Sequence, residues 1–264
     1  MSSSVLFLGT GGARFVVARQ LRASGGMWMR FGATQIHVDP GPGALVRALS
    51  HVPPCNPREL DAIVLSHKHL DHSSDVNVII EAMTSGGFRR RGAVLAPSDA
   101  FDFEPVVLPY ARQFVERIEC LQPNSGPYMI GEVELTTSSQ HVHAVQTYGL
   151  HFAHAGLRVA YLPCARYSDD LAADYAARRP DVLILNVLRH RDEALVDHLT
   201  WPLACRVVAE VRPKVAVFGH FGTKMLEADP PRLAQALEDE LGVRAIAAYD
   251  GLELDLETLV AAAA

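Results

Sequence analysis

The sequence predicts a layered α/β protein in which helices cover the outer faces of two sheets. Apolar runs typical of strands outnumber the helical patterns, and several of these runs follow one another along the chain. The helical patterns come after strands that end in polar residues. This order is typical of two mostly antiparallel or mixed sheets with helices outside them. With 264 residues, of which 49% are hydrophobic, the chain can bury a large core, and we expect residues 1–264 to form one domain.

The charge and composition argue against several classes of protein. The formal net charge is −6, which gives no overall field that attracts nucleic acid, so nucleic acid is not an expected partner. No apolar run approaches the ~18 residues of a membrane span, and the first residues lack the basic stretch of a signal peptide. The cysteines Cys55, Cys120, Cys164 and Cys205 lack CxxC spacing, which favours free thiols. We therefore expect a cytoplasmic protein without a membrane segment.

Two short strands near the start of the chain end in loops of special composition. Residues 5–8 form an apolar run that is followed by Gly-Thr-Gly-Gly at positions 9–12. This loop is either a tight turn or a close approach of the backbone to a ligand, and it lacks the Gly-Lys-Ser sequence of a phosphate-binding loop. Residues 36–38 form a second run that leads into Asp39, which is followed by Pro-Gly. Asp39 is either an acceptor that orients a metal-binding histidine or part of an ordinary turn.

The most informative stretch is residues 62–72, in which a strand ends in a dense group of metal-binding side chains. Ala-Ile-Val-Leu at positions 62–65 is typical of a short buried strand. Four candidate ligands then occur within six residues, namely His67, His69, Asp71 and His72. Imidazole nitrogens and a carboxylate at this density suit zinc, with manganese or iron as alternatives.

The rest of the chain alternates predicted strands and helices. Apolar runs predict strands at residues 93–96, 115–121, 133–137, 148–153, 157–162, 182–187 and 215–218. Helical spacing and end signals predict helices at residues 75–83, from Ser168 or Asp169 to before Pro180, from Thr200, and from Asp229 to Gly242. The Thr200 hydroxyl is expected to cap its helix. Hairpins are predicted around residues 154–156 and at Asp250-Gly251, the latter between strands 245–249 and 252–256.

The run Ser-His-Lys-His-Leu-Asp-His at positions 66–72 resembles the metal-binding motif of the metallo-β-lactamase fold hydrolases. The resemblance covers nearly the whole chain, because the glycine-rich loop 9–12, the Asp39 turn, a later histidine, the strand end at Cys164 and His220 also match. It implies an αββα sandwich with a dinuclear metal site at the edge of its sheets.

Carried over by position, the resemblance implies two sets of metal ligands. One ion would be bound by His67, His69 and His143, and the other by Asp71, His72 and His220.

Two histidines are candidates for the third ligand of the first set. His143 is preferred because related phosphodiesterases carry a pattern similar to His-x5-Gly, and Gly149 lies at the matching distance. His141 stays a rival, because residues two positions apart are expected on the same face of a strand.

Cys164 departs from the family pattern. The two-metal phosphodiesterases usually place a bridging aspartate there, in a motif similar to Gly-Asp-Thr, whereas this chain has Pro-Cys-Ala at positions 163–165. Lactam-hydrolysing zinc members of the fold resemble this chain in having a cysteine, and a thiolate suits zinc better than harder ions. We expect one or two zinc ions per chain with Cys164 as a ligand. The alternative is that Cys164 is a plain buried cysteine and the second site is weak or absent.

The resemblance is greatest to the ribonuclease Z and phosphonate-pathway phosphodiesterase branch. Residues 197–200 are similar to its His-x-Thr-like element, whose histidine helps to protonate the leaving group. The expected activity is hydrolysis of a small or cyclic phosphodiester through a metal-bound hydroxide, with Asp71 and His198 as catalytic residues and His198 as general acid. Lys224 and Arg166 are candidate contacts for the substrate anion. Related phosphodiesterases also suggest a homodimer.

Two other functions stay open. A lactonase or β-lactamase-like acyl hydrolase would use the same centre on a carbonyl group, and Cys164 is its main support. A non-catalytic metal-binding protein is supported only by the altered residue at position 164. Processing of tRNA is less favoured, because no arm rich in glycine and proline and no basic surface are evident.

Overall fold

The computed structural model describes residues 2–102, 104–191 and 197–263, which form two seven-stranded sheets with helices on their outer faces. Each sheet is mixed, with three antiparallel and three parallel pairings. This arrangement confirms the predicted αββα sandwich. Within the described ranges, every helix is too short or too polar to cross a membrane.

The first sheet contains the early strands and one strand from the end of the chain. Its strands are β1 (Ser4–Phe7), β2 (Met27–Phe31), β3 (Thr34–Val38), β4 (Ala62–Val64), β5 (Ala93–Pro97), β6 (Arg117–Leu121) and β14 (Glu253–Asp255). Their order in space is β14-β1-β2-β3-β4-β5-β6. Pairing is antiparallel from β14 to β3 and parallel from β3 to β6.

The second sheet repeats this division with the later strands. Its strands are β7 (Tyr128–Ile130), β8 (Val133–Gln140), β9 (Tyr148–His154), β10 (Leu157–Leu162), β11 (Val182–Asn186), β12 (Val215–Gly219) and β13 (Arg244–Ala247). Their order is β13-β12-β11-β10-β9-β8-β7, with antiparallel pairing from β7 to β10 and parallel pairing from β10 to β13. The predicted hairpin around residues 154–156 joins β9 to β10 and is confirmed.

The helices are short, and most of them follow a strand. They are α1 (Phe15–Arg19), α2 (Ala44–Ser50), α3 (Leu70–Ser73), α4 (Val76–Thr84), α5 (Pro109–Arg112), α6 (Asp169–Arg178), α7 (Trp201–Val211), α8 (Thr223–Glu227), α9 (Pro230–Leu241) and α10 (Leu256–Ala262). Single 3-10 turns lie at Pro57–Glu59 and Ser98–Ala100.

Alternation along the strands divides the buried side chains among three layers. In β4, Ala62 and Val64 face the other sheet, whereas Ile63 faces the helices. In β11, Ile184 points into the layer between the sheets and Leu183 into the second helical layer. Because side chains of a strand alternate between its faces, strands covered on both sides are apolar at every position. This burial explains why the short runs in the sequence are uninterrupted.

Two predicted helix caps are confirmed and one is wrong. The Ser168 hydroxyl accepts a hydrogen bond from the Leu171 amide, and the Asp229 carboxylate accepts one from the Arg232 amide. The Thr200 hydroxyl does not cap α7 and is buried without a hydrogen-bond partner among the described residues. The first amide of that helix, from Trp201, instead donates to a backbone carbonyl, because Thr200 forms a parallel bridge with Arg189.

The hairpin predicted at Asp250-Gly251 is wrong. β13 pairs with β12 in the second sheet, whereas β14 pairs with β1 in the first, so the turn carries the chain from one sheet to the other. The Asp250 carboxylate accepts hydrogen bonds from the amides of Thr10 and Ala23 and from the Thr10 hydroxyl, which tie the turn to the glycine-rich loop. Turn chemistry alone does not determine which strand becomes the partner.

Candidate metal centre

The predicted ligands meet at one edge of the sandwich, beyond the carboxyl ends of several strands. His67 follows β4, Cys164 follows β10 and His220 follows β12, each within three residues of the strand end. Since parallel strands of a sheet end at a common edge, loops far apart in sequence converge there. The convergence places nitrogen, oxygen and sulfur ligand atoms in four overlapping groups, with the atoms of each group within 4.8 Å of one another.

The first group, here called the first triad, is His67, His69 and His143. The His69 Nδ1 and His143 Nε2 atoms are 3.1 Å apart, and the other nitrogen of His143 lies 2.9 Å from the Asp197 carbonyl oxygen. Burial and the neighbouring His72 lower the pKa of His67 to about 4, and burial with His143 lowers that of His69 to about 4. Burial also lowers the pKa of His143. These imidazoles are therefore neutral near pH 7, the form that binds metals.

The second triad is Asp71, His72 and His220. The Nε2 atoms of its two histidines are 3.0 Å apart, and Asp71 Oδ2 lies 3.2 Å from His220 Nε2 and 3.5 Å from His72 Nε2. Burial opposes charge on both histidines, but anionic neighbours outweigh it. The Asp71 and Asp39 carboxylates raise the pKa of His72 well above its usual value, and the Cys164 thiolate and Asp71 raise the pKa of His220 to about 9.

Cys164 lies between the two triads. Its Sγ atom is 3.7 Å from the Nε2 atoms of both His72 and His220. It also belongs to a group with His67 and His72 and to another with His143 and His198. Burial opposes ionisation of the thiol, but His220 and His198 outweigh burial and lower the pKa of Cys164 well below its usual value. The imidazoles around Cys164 therefore favour its thiolate form.

Asp39 lies behind the second triad, in the position proposed for an orienting acceptor. Its Oδ2 atom is 2.9 Å from His72 Nδ1 and also accepts hydrogen bonds from the Ser66 and Tyr161 hydroxyls. Its Oδ1 atom accepts one from the Ser66 amide. Asn186 donates in turn to the Tyr161 hydroxyl. Such contacts fix the orientation of an imidazole ligand, and the sequence analysis did not single out the three residues that support Asp39.

The glycine-rich loop 9–12 holds His220 rather than an anion. All four of its amides donate to the protein, to Gly26, Asp250, Ala23 and Phe221 in order along the loop. A Cβ atom at Gly12 would lie 2.5 Å from the His220 carbonyl oxygen and 2.7 Å from His220 Nδ1. The loop therefore packs tightly against His220, and only glycine allows the contact.

The structure separates the two rival histidines of the first set. β8 ends at Gln140, so His141 and His143 do not share a strand face, and that expectation is wrong. The His141 ring is buried 3.2 Å from the Ser138 hydroxyl and 3.3 Å from the Cys164 carbonyl oxygen, outside the four ligand groups. His143 points into the first triad.

Of the other predicted catalytic and anion-binding residues, His198 and Lys224 line a cavity beside the centre, whereas Arg166 does not. The His198 ring lies 5.1 Å from that of His143 and 6.0 Å from that of His220. Lys224 lines a cavity together with His198. Arg166 forms a 2.6 Å ion pair with Asp197 instead of lining either cavity beside His198.

The arrangement of donor atoms fits metal ions. His67 Nε2 is buried and has no hydrogen-bond partner among the described residues. Pairs of imidazole nitrogens face each other at 3.0 and 3.1 Å in the two triads, an arrangement that a shared cation satisfies. Three histidines suit zinc, iron or manganese, and the thiolate of Cys164 favours zinc.

Comparisons with known proteins agree with this geometry. Residues 34–221 match the family model described as the beta-lactamase superfamily domain. The uncharacterized protein MJ1374 of Methanocaldococcus jannaschii is 28% identical over 264 aligned residues, which cover 97% of this chain and 96% of that protein. The metallo-β-lactamase fold protein YhfI from Bacillus subtilis superposes with a TM-score of 0.76 at 19% identity, covering 96% and 99% of the two chains. A diphosphatase from the PhnP family superposes with a TM-score of 0.67 at 20% identity, covering 96% and 97%.

Proposed function

The chain belongs to the beta-lactamase superfamily domain family, and from that premise we propose that it is a metal-dependent phosphodiesterase acting on a small or cyclic phosphodiester. The observation that carries the proposal is the pair of triads, with Cys164 between them and His198 beside them. Two ion sites side by side suit the displacement of an oxygen leaving group at phosphorus. The likeness to a structure named as a diphosphatase supports a phosphoryl substrate.

Each triad has a distinct part in this proposal. His67, His69 and His143 would hold one divalent ion, and Asp71, His72 and His220 would hold a second, with Cys164 between them. When bound, the two ions would neutralise the phosphoryl oxygens and activate water. The Asp39 carboxylate accepts a hydrogen bond from Nδ1 of His72. This contact keeps the Nε2 atom of His72 directed at the second triad. Residues 1–264 are taken as one domain, and the expected assembly is a homodimer.

His198 is the proposed general acid. It lies beside Cys164 and His143 and lines two neighbouring cavities in which a substrate would lie. A proton donated to the departing oxygen matters most when that oxygen is strongly basic. The imidazole of a histidine is suited to this transfer near neutral pH.

Two esters whose leaving groups differ in basicity test the role of His198 as general acid. The zinc-loaded chain is expected to hydrolyse both bis-p-nitrophenyl phosphate and diphenyl phosphate. His198→Gln is expected to lower kcat by about 100-fold on diphenyl phosphate, whose phenolate needs a proton, and by less than about tenfold on the p-nitrophenyl ester. Equal losses on both esters would assign His198 to binding or to the metal set instead.

Acyl hydrolysis is the second candidate, and Cys164 is the observation that favours it. A thiolate 3.7 Å from His72 and His220 is the donor expected of a zinc centre acting on a carbonyl group. Assays with a lactone and a cephalosporin separate the two functions. Turnover confined to these carbonyl substrates would overturn the phosphodiesterase proposal, and stoichiometric metal without turnover of any ester would support a non-catalytic protein.

Metal analysis tests Cys164 directly. We expect zinc, with one firmly held ion per chain and a second ion whose retention changes in Cys164→Asp, because a carboxylate replaces the buried thiolate between the triads. The measurement is metal content per chain after dialysis at fixed free zinc. Retention of two ions equally in wild type and Cys164→Asp would remove Cys164 from the ligand set.

A further inference from the structure

Asn186 is a polar residue at the end of an otherwise apolar strand. It is the last residue of β11, whose residues 182–185 are Val-Leu-Ile-Leu, and it is only 6% exposed. β11 runs parallel to β10 with Leu185 opposite Leu162, so Asn186 reaches the sheet edge at which Cys164 follows β10. Burying an amide group costs free energy unless its hydrogen atoms find acceptors. The acceptors that Asn186 contacts therefore indicate why a polar residue stands there.

The neighbours of Asn186 determine the orientation of its amide group. The Tyr161 hydroxyl has one hydrogen atom, which it donates to Asp39 Oδ2 at 3.0 Å. An ionised carboxylate can only accept, so the Tyr161 oxygen is left as an acceptor for other groups. Asn186 Nδ2 donates to this oxygen at 3.0 Å. The NH2 group of Asn186, and not its amide oxygen, must therefore face Tyr161.

The same NH2 group also faces Cys164. Asn186 Nδ2 lies 3.7 Å from Cys164 Sγ, within the reach of a hydrogen bond to sulfur. Because an NH2 group carries two donors, one amide can serve the tyrosine and the cysteine at the same time. These contacts close a ring of side chains that consists of Cys164, Asn186, Tyr161, Asp39 and His72.

A thiolate depends on its neighbours for direction more than a carboxylate does. A carboxylate offers two oxygen atoms, one for each of two ions, whereas a cysteine offers a single sulfur atom. Cys164 Sγ lies 3.7 Å from the Nε2 atoms of His72 and His220, and it also belongs to a ligand group with His143 and His198. The direction of the Cys164 side chain therefore decides which candidate metal site its sulfur serves.

Asn186 lies on the side of the second triad. A cavity of about 40 Å³ is lined by Asn186 and by all three members of that triad, Asp71, His72 and His220. The described lining of this cavity includes no residue of the first triad. A hydrogen bond from Asn186 therefore draws the Cys164 sulfur toward the second triad.

We propose that Asn186 is a positioning residue that holds the Cys164 thiolate at the second triad by donating an N–H···S hydrogen bond. This inference rests on the proposed function in that it requires a metal ion at the second triad, and it adds the residue that adapts this site to a cysteine. The hydrogen bond also draws negative charge away from the sulfur. Asn186 thus affects both the position of the thiolate and the strength with which it binds an ion.

Cobalt(II) in place of zinc tests the hydrogen bond, because a cobalt–thiolate contact gives a charge-transfer band in the near ultraviolet. This band is expected in the cobalt-loaded wild type and not in Cys164→Ala. Asn186→Leu removes both N–H donors at similar volume. Its band should move to longer wavelength, because the sulfur becomes richer in electrons, and the second ion should bind about tenfold more weakly. Asn77→Leu is the control and should change neither, since the Asn77 amide donates to the Val106 carbonyl in the helical layer of the first sheet.

A double-mutant cycle shows whether Asn186 acts through the cysteine. In the Cys164→Ala background, Asn186→Leu is expected to cause no further loss of the second ion. An equal loss in both backgrounds would overturn the inference, because Asn186 would then act through Tyr161 and Asp39 alone. An unmoved band in Asn186→Leu, or no thiolate band in the wild type, would overturn it as well.

Tyr161→Phe is a second variant that serves if Asn186→Leu does not fold. It keeps the amide of Asn186 but removes the acceptor that orients it. The charge-transfer band should therefore move in the same direction by a smaller amount, and an unmoved band would overturn the inference.

The spectrum is measured without turnover, which separates this inference from the proposed function. If the loaded chain does not hydrolyse bis-p-nitrophenyl phosphate but the band moves as expected, the phosphodiesterase proposal fails and the role of Asn186 stands. If the ester is hydrolysed and the band does not move in Asn186→Leu, only the role of Asn186 fails.

Discussion

The two triads at the edge of the sandwich have opposite electrostatic character. The first consists of three imidazoles whose pKa values burial lowers, so it is neutral near pH 7. The second combines a carboxylate with two buried histidines whose pKa values are raised, and it adjoins the Cys164 thiolate. Burial alone therefore does not determine the charge of a histidine. Asp71, Asp39 and Cys164 outweigh the cost of burial in the second triad, and the first has no carboxylate of its own.

The supports of the two triads differ as well. A backbone carbonyl, that of Asp197, lies within hydrogen-bond distance of His143 in the first triad. The second is held by the Asp39 carboxylate behind His72 and by the packing of Gly12 against His220. Changes to these supports should therefore affect metal binding at the two candidate sites unequally.

Metal binding by the two triads should differ most in its dependence on pH. In the metal-free chain, the raised pKa values of His72 and His220 favour protonation, and the two facing Nε2 atoms share a proton that must leave before an ion binds, so affinity at the second triad falls as pH falls. Release of one proton gives about tenfold per pH unit, or about 100-fold from pH 8.5 to 6.5. His67 and His69 are already neutral above about pH 4, so affinity at the first triad stays nearly constant from pH 6.5 to 8.5.

Calorimetric titration with zinc over this pH range, in buffers of different ionisation enthalpy, counts the protons that each site releases. Equal pH slopes for the two sites would contradict the difference between the triads.

Removing the carboxylate behind His72 should weaken the second site alone. Asp39→Asn keeps the volume of the side chain and one oxygen acceptor but removes the charge beside His72 Nδ1. We expect about 10- to 100-fold weaker binding of the second ion and a similar loss of activity, the range typical of residues that orient a metal ligand. Metal content at fixed free zinc is the measurement. Asp61→Asn is the control, because Asp61 also accepts a backbone hydrogen bond, from Gln35, but lies away from the centre. A comparable loss of the ion bound at the first triad would show that Asp39→Asn lowers the stability of the whole fold instead.

A smaller effect is expected at the glycine-rich loop. In Gly12→Ala the new Cβ atom would lie 2.5 Å from the His220 carbonyl oxygen and 2.7 Å from its Nδ1 atom, so the histidine must shift. Affinity at the second triad should fall about tenfold while the first is unchanged. Gly219→Ala is the matched control, since it precedes the same histidine and its Cβ would meet no described atom within 4 Å. If both variants behave alike in zinc titrations, contact with Gly12 is not what positions His220.

The smallest effect is expected at Arg166, which the sequence analysis proposed as an anion contact. Its ion pair with Asp197 is about half exposed, and such pairs contribute at most about 1 kcal/mol to folding. Arg166→Gln should change KM for bis-p-nitrophenyl phosphate less than about threefold, and Arg206→Gln provides a control at another exposed ion pair. A rise in KM above tenfold in Arg166→Gln alone would return this residue to the substrate site.

Local patterns in the sequence predicted much of the fold. Most strands buried on both faces, such as β5 and β12, were recognised from uninterrupted apolar runs, and α9 was recognised from Asp229 and Gly242 at its ends. Eight elements were not predicted, namely the strands β2 and β7 and the helices α1, α2, α3, α5, α8 and α10. Such short segments carry too few residues for a clear periodicity, and their partners in the structure decide their form.

The sequence by itself determined which residues are available for metal chemistry, because the spacing of His67, His69, Asp71 and His72 after β4 is a local property. The tertiary structure decided the rest. It separated His143 from His141 where β8 ends, placed Cys164 between the triads, and sent the Asp250-Gly251 turn from one sheet to the other. These outcomes depend on contacts between segments far apart in the sequence, such as those between His69 and His143, 74 residues apart, and between Thr10 and Asp250, 240 residues apart. Pairing of that kind depends on packing of the whole core, which no local pattern of residues encodes.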